Sequence, residues 1–143
     1  MDMSNYFITN CNRDYQTRSH SKFLLKCHLI FVVKYRKKLL KGVLKSDMKD
    51  ILILAQTPDF RIEVMESDLD HIHFLIDYDP VLSISMIVRH LKQASSIEIW
   101  KLHEKYLKTQ FWKHRTFWTK GYFVSSIGNA SIDIISKYID EQG

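Results

Sequence analysis

FRIEVMESDLDHIHFLIDY, residues 60–78, reads as two strands folded back on each other. In FRIEVME, Phe60, Ile62 and Val64 alternate with Arg61 and Glu63, the period-2 pattern of a half-buried strand. SDLD is turn-like. In HIHFLIDY, alternation sends Ile72, Phe74, Ile76 and Tyr78 to one face and His71, His73, Leu75 and Asp77 to the other. Two imidazoles therefore stand side by side at one end of one face, close enough for both rings to reach one small target. Such a pair can hold a metal ion, hold a phosphate, or cap a core face with hydrogen-bonded rings, and the motif alone leaves all three open. Glu66, Asp68 and Asp70 lie near enough in sequence to orient the second ring nitrogens, with Asp70 the preferred candidate.

Upstream, FLLKCHLIFVVK (residues 23–34) is apolar on nearly both faces and β-branched toward its end, as a central strand should be. His28 on that strand is either a packed core histidine or a neighbour of the pair. A basic run, Lys34, Arg36, Lys37, Lys38 and Lys41, then leaves the sheet. SDMKDILILAQ places Met48, Ile51, Leu52 and Ala55 at helical spacing behind Ser46 as cap, and the helix stops before Pro58. Downstream of the hairpin, Ile84, Ile87, Val88 and Leu91 form one stripe of a second helix over 83–103, and a strand follows from about 118 to 126.

The order is βαββαβ. That predicts an α+β, ferredoxin-like antiparallel sheet with helices on one face. NASIDIISKYIDEQG adds a C-terminal helix, capped by Asn129 or Ser131, with Asp133 suited to the helix dipole in the first turn. Ile132, Ile135 and Ile139 are its buried stripe, and Ile134, Tyr138 and Gln142 make the neighbouring i, i+4 row. Gly121 and Gly128 before it make its docking adjustable.

The composition fits one domain over residues 1–143 with a substantial core, 45% of residues being hydrophobic, and with residues 1–17 as a flexible N-terminal segment. No apolar stretch is long enough to span a bilayer, and the N-terminus lacks the pattern of a signal peptide. Two cysteines, Cys11 and Cys27, make neither a disulfide framework nor a cysteine zinc site. A cytoplasmic, nucleoid-associated protein is expected. The net charge of +5 favours a polyanionic partner. Beside the basic run, KTQFWKHRTFWTKGYF interleaves Lys108, Lys113, Arg115 and Lys120 with Phe111, Trp112, Phe117, Trp118 and Tyr122. Cations for a phosphate backbone and flat rings for unpaired bases suit single-stranded nucleic acid, although any one ring can equally belong to the core. Lys34, Arg36, Lys37, Lys113, Arg115, Phe117, Trp118 and Lys120 are the candidate DNA contacts.

Four segments in order, HLIFVVKYRKKLL, DHIHFLI, FWTKGYFVSSIG and SKYIDEQ, make the chain resemble the small single-tyrosine transposases of the HUH endonuclease superfamily, from about Arg18 to Gln142. Those enzymes belong to insertion sequences that move as single-stranded DNA. The resemblance implies that His71 and His73 bind a divalent metal, Mg or Mn, with Gln142 as third ligand. It implies that Tyr138 is the nucleophile, leaving a 5′-phosphotyrosine and a free 3′-hydroxyl. It further implies single-stranded DNA with hairpins at the element ends as substrate, and a homodimer with composite active sites, histidines from one subunit and tyrosine helix from the other. Two imidazoles and an amide oxygen would leave open positions on such an ion for water and phosphate oxygens. A tyrosine of ordinary pKa, near ~10, needs a cation or base beside it, and the sequence identifies none.

Two other readings keep the fold and change the job. One is a non-catalytic hairpin-binding dimer in which the histidines only pack. The other is a domesticated relative that processes host repeats. A metallohydrolase of the H-x-H-x-D-H type is excluded, because Leu75 and Ile76 stand where the aspartate and third histidine should be.

Overall fold

The computed structural model describes residues 25–126 and 132–142, with no account of the side chains at 126 and 132–135. Four strands, β1 (Leu25–Val32), β2 (Phe60–Ser67), β3 (His71–Tyr78) and β4 (Phe123–Ser126), form one antiparallel sheet in the order β2-β3-β1-β4. Helices α1 (Gly42–Leu54) and α2 (Ile84–Gln110) intervene in the βαββαβ order, and α3 (Ile132–Glu141) follows. The flexible N-terminal segment, the Asn129 or Ser131 cap, Gly128, Asp133, Ile134 and the Ile132 and Ile135 part of the α3 stripe lie outside what is described.

The sheet's two faces differ. Cys27, Leu29 and Phe31 of β1 and Val33 just after it, with Ile72, Phe74 and Ile76 of β3, enter the main core with residues of α1 and α2. The opposite face carries a smaller cluster, Ile30 and Val32 of β1 with Ile139 of α3, joined by Phe123 and Tyr138. β1 is buried on both faces for this reason, and α3 covers the face that α1 and α2 leave open.

The helix ends and one strand's register depart from the sequence reading, each for a local reason. α1 begins at Gly42, with Lys41 rather than Ser46 at the N-cap and no side-chain cap. Leu44 is buried, so the extra turn sinks an apolar side chain, and Gly42 takes the left-handed φ of 58° at which the chain swings into the helix. α2 is capped by Ser83, whose hydroxyl accepts from Met86 N at 3.2 Å. It kinks at His103 (φ −129°) where the pattern predicts its end, then continues to Gln110. In β2 the register shifts between Ile62 and Val64, so Met65 is buried and Val64 is exposed, reversing the expected alternation after the bulge.

The last strand is split. Trp118 bridges Val33, and Thr119 N donates to Val32 O, but the ladder resumes only at Phe123. Between these points the Lys92 ammonium takes the carbonyls of Thr119, Lys120 and Gly121 at 2.7, 3.1 and 2.7 Å. A backbone whose oxygens turn toward a half-buried lysine cannot also offer them to β1.

Candidate active site

The histidine pair sits on the α3 side of the sheet. His71 pairs with Val32 and His73 with Ile30 across the β1–β3 ladder, so both rings stand one strand away from the cluster that receives α3. The β2–β3 turn holds them from one end. Val33 N donates to Asp70 O and Leu40 N to Leu69 O, each at 2.9 Å, so the basic segment after β1 is sewn to the turn by its backbone.

Asp70 organises this corner. Its carboxylate accepts from His71 Nδ1 at 2.9 Å and from Arg36 Nε at 3.1 Å. Burial opposes the carboxylate's charge, but the bonds from His71 and Arg36 outweigh it and hold the Asp70 pKa below its usual value. With Nδ1–H committed to Asp70, His71 keeps Nε2 as the nitrogen with a free lone pair. Burial and the neighbouring His28 ring hold His73 below the ordinary histidine value, which keeps it neutral. His28 is therefore no isolated core residue: its Nδ1 lies 2.9 Å from His73 Nε2, with ring centroids 5.0 Å apart. Glu66 is paired with His73 across the β2–β3 ladder, and Asp68 caps the turn by accepting from Leu69 N.

Tyr138 lies on α3 over the same face, its ring 5.6 Å from that of Phe123. Its hydroxyl is buried with no hydrogen-bond partner among the described residues. A Cβ built on Gly121 would lie 3.5 Å from that oxygen. Gly121 leads into β4, on the far side of β1 from the histidines, and it does not lie in the connection to α3 as the sequence reading supposed. Burial pushes the phenol up to about 12. Gln142 follows the end of α3, where its N–H closes the last turn onto Ile139 O at 3.1 Å. Arg36 Nη1 reaches Asp140 of α3 at 3.4 Å, so one guanidinium touches both the carboxylate behind His71 and the tyrosine helix. A cleft of about 340 Å³, lined by Arg36, Lys38, Asp70, His71, Ser136 and Asp140, opens at that junction.

A carboxylate-braced imidazole, a neutral second imidazole and an amide one helical turn from the tyrosine can hold a divalent cation that fills its remaining positions with oxygen ligands. Among the described residues no group of three or more His, Cys, Asp or Glu side chains is gathered tightly enough to hold a metal, so such a site also needs donors of another kind.

The candidate DNA contacts separate. Tyr35 and Arg36 have consecutive left-handed φ values of 62° and 51°, and this tight turn splays them apart. Arg36 enters the histidine cleft, whereas Lys34, Tyr35, Lys37, Phe111, Trp112 and Lys113 line a second groove of about 440 Å³. Arg115 lies elsewhere, over the Trp100 ring and beside Glu104, and Lys120 is exposed near Lys92's loop. Phe117 and Trp118 require correction as stacking platforms. They are 0% and 5% exposed, Trp118 Nε1 donates to the buried Ser95 hydroxyl, and the two rings pack edge to face in the core. The exposed rings of the 440 Å³ groove are Trp112 at 84% and Tyr35 at 67%, each with a lysine ammonium over it, Lys113 and Lys34.

Residues 21–142 match the family described as transposase, IS200-like. The chain belongs to that family. It is 31% identical over 131 residues to the transposase for insertion sequence element IS200 of Salmonella typhimurium, covering 90% of this chain and 84% of that one. It is 33% identical over 122 residues to the ISDra2 transposase TnpA of Deinococcus radiodurans, covering 84% and 85%. The crystal structure of a transposase candidate from Deinococcus radiodurans superposes with a TM-score of 0.77 at 27% identity, covering 86% of this chain and 94% of that one. A REP-associated tyrosine transposase bound to a REP hairpin shares the fold, with a TM-score of 0.51 at 13% identity over 81% of this chain and 62% of that one. This transposase therefore has the α+β architecture of the single-tyrosine HUH group, and no described helix is long and apolar enough to cross a membrane.

Proposed function

We propose that this transposase cuts and rejoins single-stranded DNA through a 5′-phosphotyrosine on Tyr138, recognising hairpins at the ends of its element. The observation that carries the reading is the placement of a carboxylate-braced H-x-H pair and Tyr138 on one face of one sheet. His71, His73 and Gln142 would hold a divalent ion. Bound there, Mg²⁺ or Mn²⁺ supplies a Lewis acid for the nonbridging oxygens of the scissile phosphate.

The remaining chemistry is the chain's own. Tyr138 Oη forms a bond to phosphorus as the bond to the 3′-oxygen breaks, and the phenolic proton ends on that oxygen as the free 3′-hydroxyl. A second 3′-hydroxyl reverses the exchange and returns the proton to tyrosine, so strands rejoin without ATP because one phosphoester replaces another. Asp70 holds the His71 ring in the tautomer that leaves Nε2 bare. In the resting pose the phenol is neutral and lies beside Gly121, so the attack needs the hydroxyl moved from that contact toward the histidines. Relatives that act on DNA, one of them named as bound to a REP hairpin, support hairpin DNA as the substrate. A homodimer with exchanged tyrosine helices completes the reading.

The direct test is incubation with labelled hairpin-bearing single strands and Mn²⁺, followed by a denaturing gel. A labelled band at protein mass supports the reading, and strand cleavage without a covalent band overturns the phosphotyrosine route. The DNA grip has its own test. Trp112→Ala should weaken hairpin-strand binding by about 1–3 kcal/mol with an unchanged Tm, since the exposed ring stacks on bases rather than in the core. Phe117→Ala should instead cost about 3–5 kcal/mol of stability. Equal binding by Trp112→Ala and wild type in a filter or anisotropy titration would remove Trp112 from the interface.

A further inference from the structure

We infer that His28 is a positioning residue for the metal site: it accepts a hydrogen bond from His73 Nε2–H and so keeps His73 Nδ1 bare for a cation. This rests on the metal reading of the histidine pair. His28 Nδ1 and His73 Nε2 are 2.9 Å apart, a hydrogen-bond distance that requires a proton on one nitrogen and a lone pair on the other. A neutral imidazole has one of each. If His28 were the donor, His73 would accept at Nε2 and carry its own proton on Nδ1, leaving no lone pair for a ligand. With His73 as donor, the contact survives and Nδ1 is free.

The sheet makes the contact persistent. His28 is paired with Leu75, two residues along the β1–β3 ladder from the Ile30–His73 pair, so the two rings meet as diagonal neighbours on one face. His71 has the corresponding arrangement from the other side, with its Nδ1–H given to Asp70. The two histidines of the motif are thus oriented by different partners: a carboxylate fixes His71 and an imidazole fixes His73. The partners leave opposite ring nitrogens bare, Nε2 on His71 and Nδ1 on His73. In one ring the Asp70 charge also makes the bare nitrogen a stronger donor, whereas His28 sets direction without adding charge.

The experiment has two arms. Long-range ¹H–¹⁵N correlation on histidine-labelled, metal-free protein reads the tautomers, and His73 should carry its proton on Nε2. Mn²⁺ titration followed by EPR should show affinity falling about 10–100-fold in His28→Ala, the usual effect of losing a ligand's hydrogen-bond partner. His28→Asn, which keeps an acceptor on the atom following Cβ–Cγ, should recover most of the loss. A metal-free His73 protonated on Nδ1 overturns the inference. Wild-type Mn²⁺ binding that His28→Ala leaves within twofold also overturns it, and leaves the metal reading intact. A wild-type protein that binds no Mn²⁺ removes the metal reading itself.

Discussion

Tyr138→Phe should lose the covalent DNA adduct completely while folding as well as the parent or slightly better. The two halves of that result have separate causes. Loss of the adduct follows from loss of the one oxygen proposed to bond phosphorus. Unchanged or raised stability follows from where that oxygen rests: buried beside Gly121 with no hydrogen-bond partner among the described residues. An unpaired buried hydroxyl costs about 1–3 kcal/mol, so its removal has nothing favourable to forfeit while the ring keeps its packing on Phe123. A Tm equal to wild type or a few degrees higher is expected. Hairpin binding should persist, because the lysines and rings of the 440 Å³ groove are untouched. Persistence of the adduct in Tyr138→Phe would move the nucleophile to another side chain. A lower Tm would show that the hydroxyl has a structural partner.

At rest, burial holds the proposed nucleophile at a pKa near 12. Burial keeps it neutral in the resting pose, and an oxygen without a partner among the described residues makes that pose less stable than packing alone would.

The sheet was legible in the sequence wherever one periodicity ruled. His71 to Tyr78 alternate between the faces as the pattern predicts, and β1, buried on both faces, shows as an apolar run broken only by Lys26 and His28. Errors arose where a distant group overrides the local pattern. The bulge between Ile62 and Val64 swaps the outward residue from Met65 to Val64, and no residue in FRIEVME marks it. Lys92 interrupts the last strand from a helix 27 residues earlier in the chain than Thr119. In the site, Asp70 could be nominated because it adjoins His71 in sequence, whereas the His28–His73 contact joins residues 45 apart and depends on strand order. The two F-W pairs behave differently for a similar reason. Phe117 and Trp118 lead into the Val33 bridge and are pulled inward, while Trp112 follows the end of α2 and is left outside. Composition marks the region but does not say which of its rings are exposed.

Mixing two dead variants, Tyr138→Phe and His73→Ala, should restore cleavage if active sites are composite. In a heterodimer with exchanged α3 helices, one site combines intact histidines with an intact tyrosine, and the other collects both defects. Up to half the sites in each heterodimer then work, and labelled DNA attaches only to the His73→Ala chain, which carries the tyrosine. With helices kept at home, each site has one defect and none can cut. In the single chain α3 docks on its own sheet, but the described attachment is slight: Ile139 and Tyr138 on Ile30, Val32 and Phe123, plus an exposed Arg36–Asp140 pair. An exposed ion pair of this kind is worth about 0–1 kcal/mol, so it does little to oppose release. An identical sheet face on a partner would offer α3 the same apolar seat, so exchange costs no burial once the subunits are paired. The experiment needs subunit exchange confirmed independently, for example by tags of different mass. Confirmed exchange without any adduct would place the tyrosine with its own histidines in the cutting state, and an adduct on the His73→Ala chain alone would establish the crossed one.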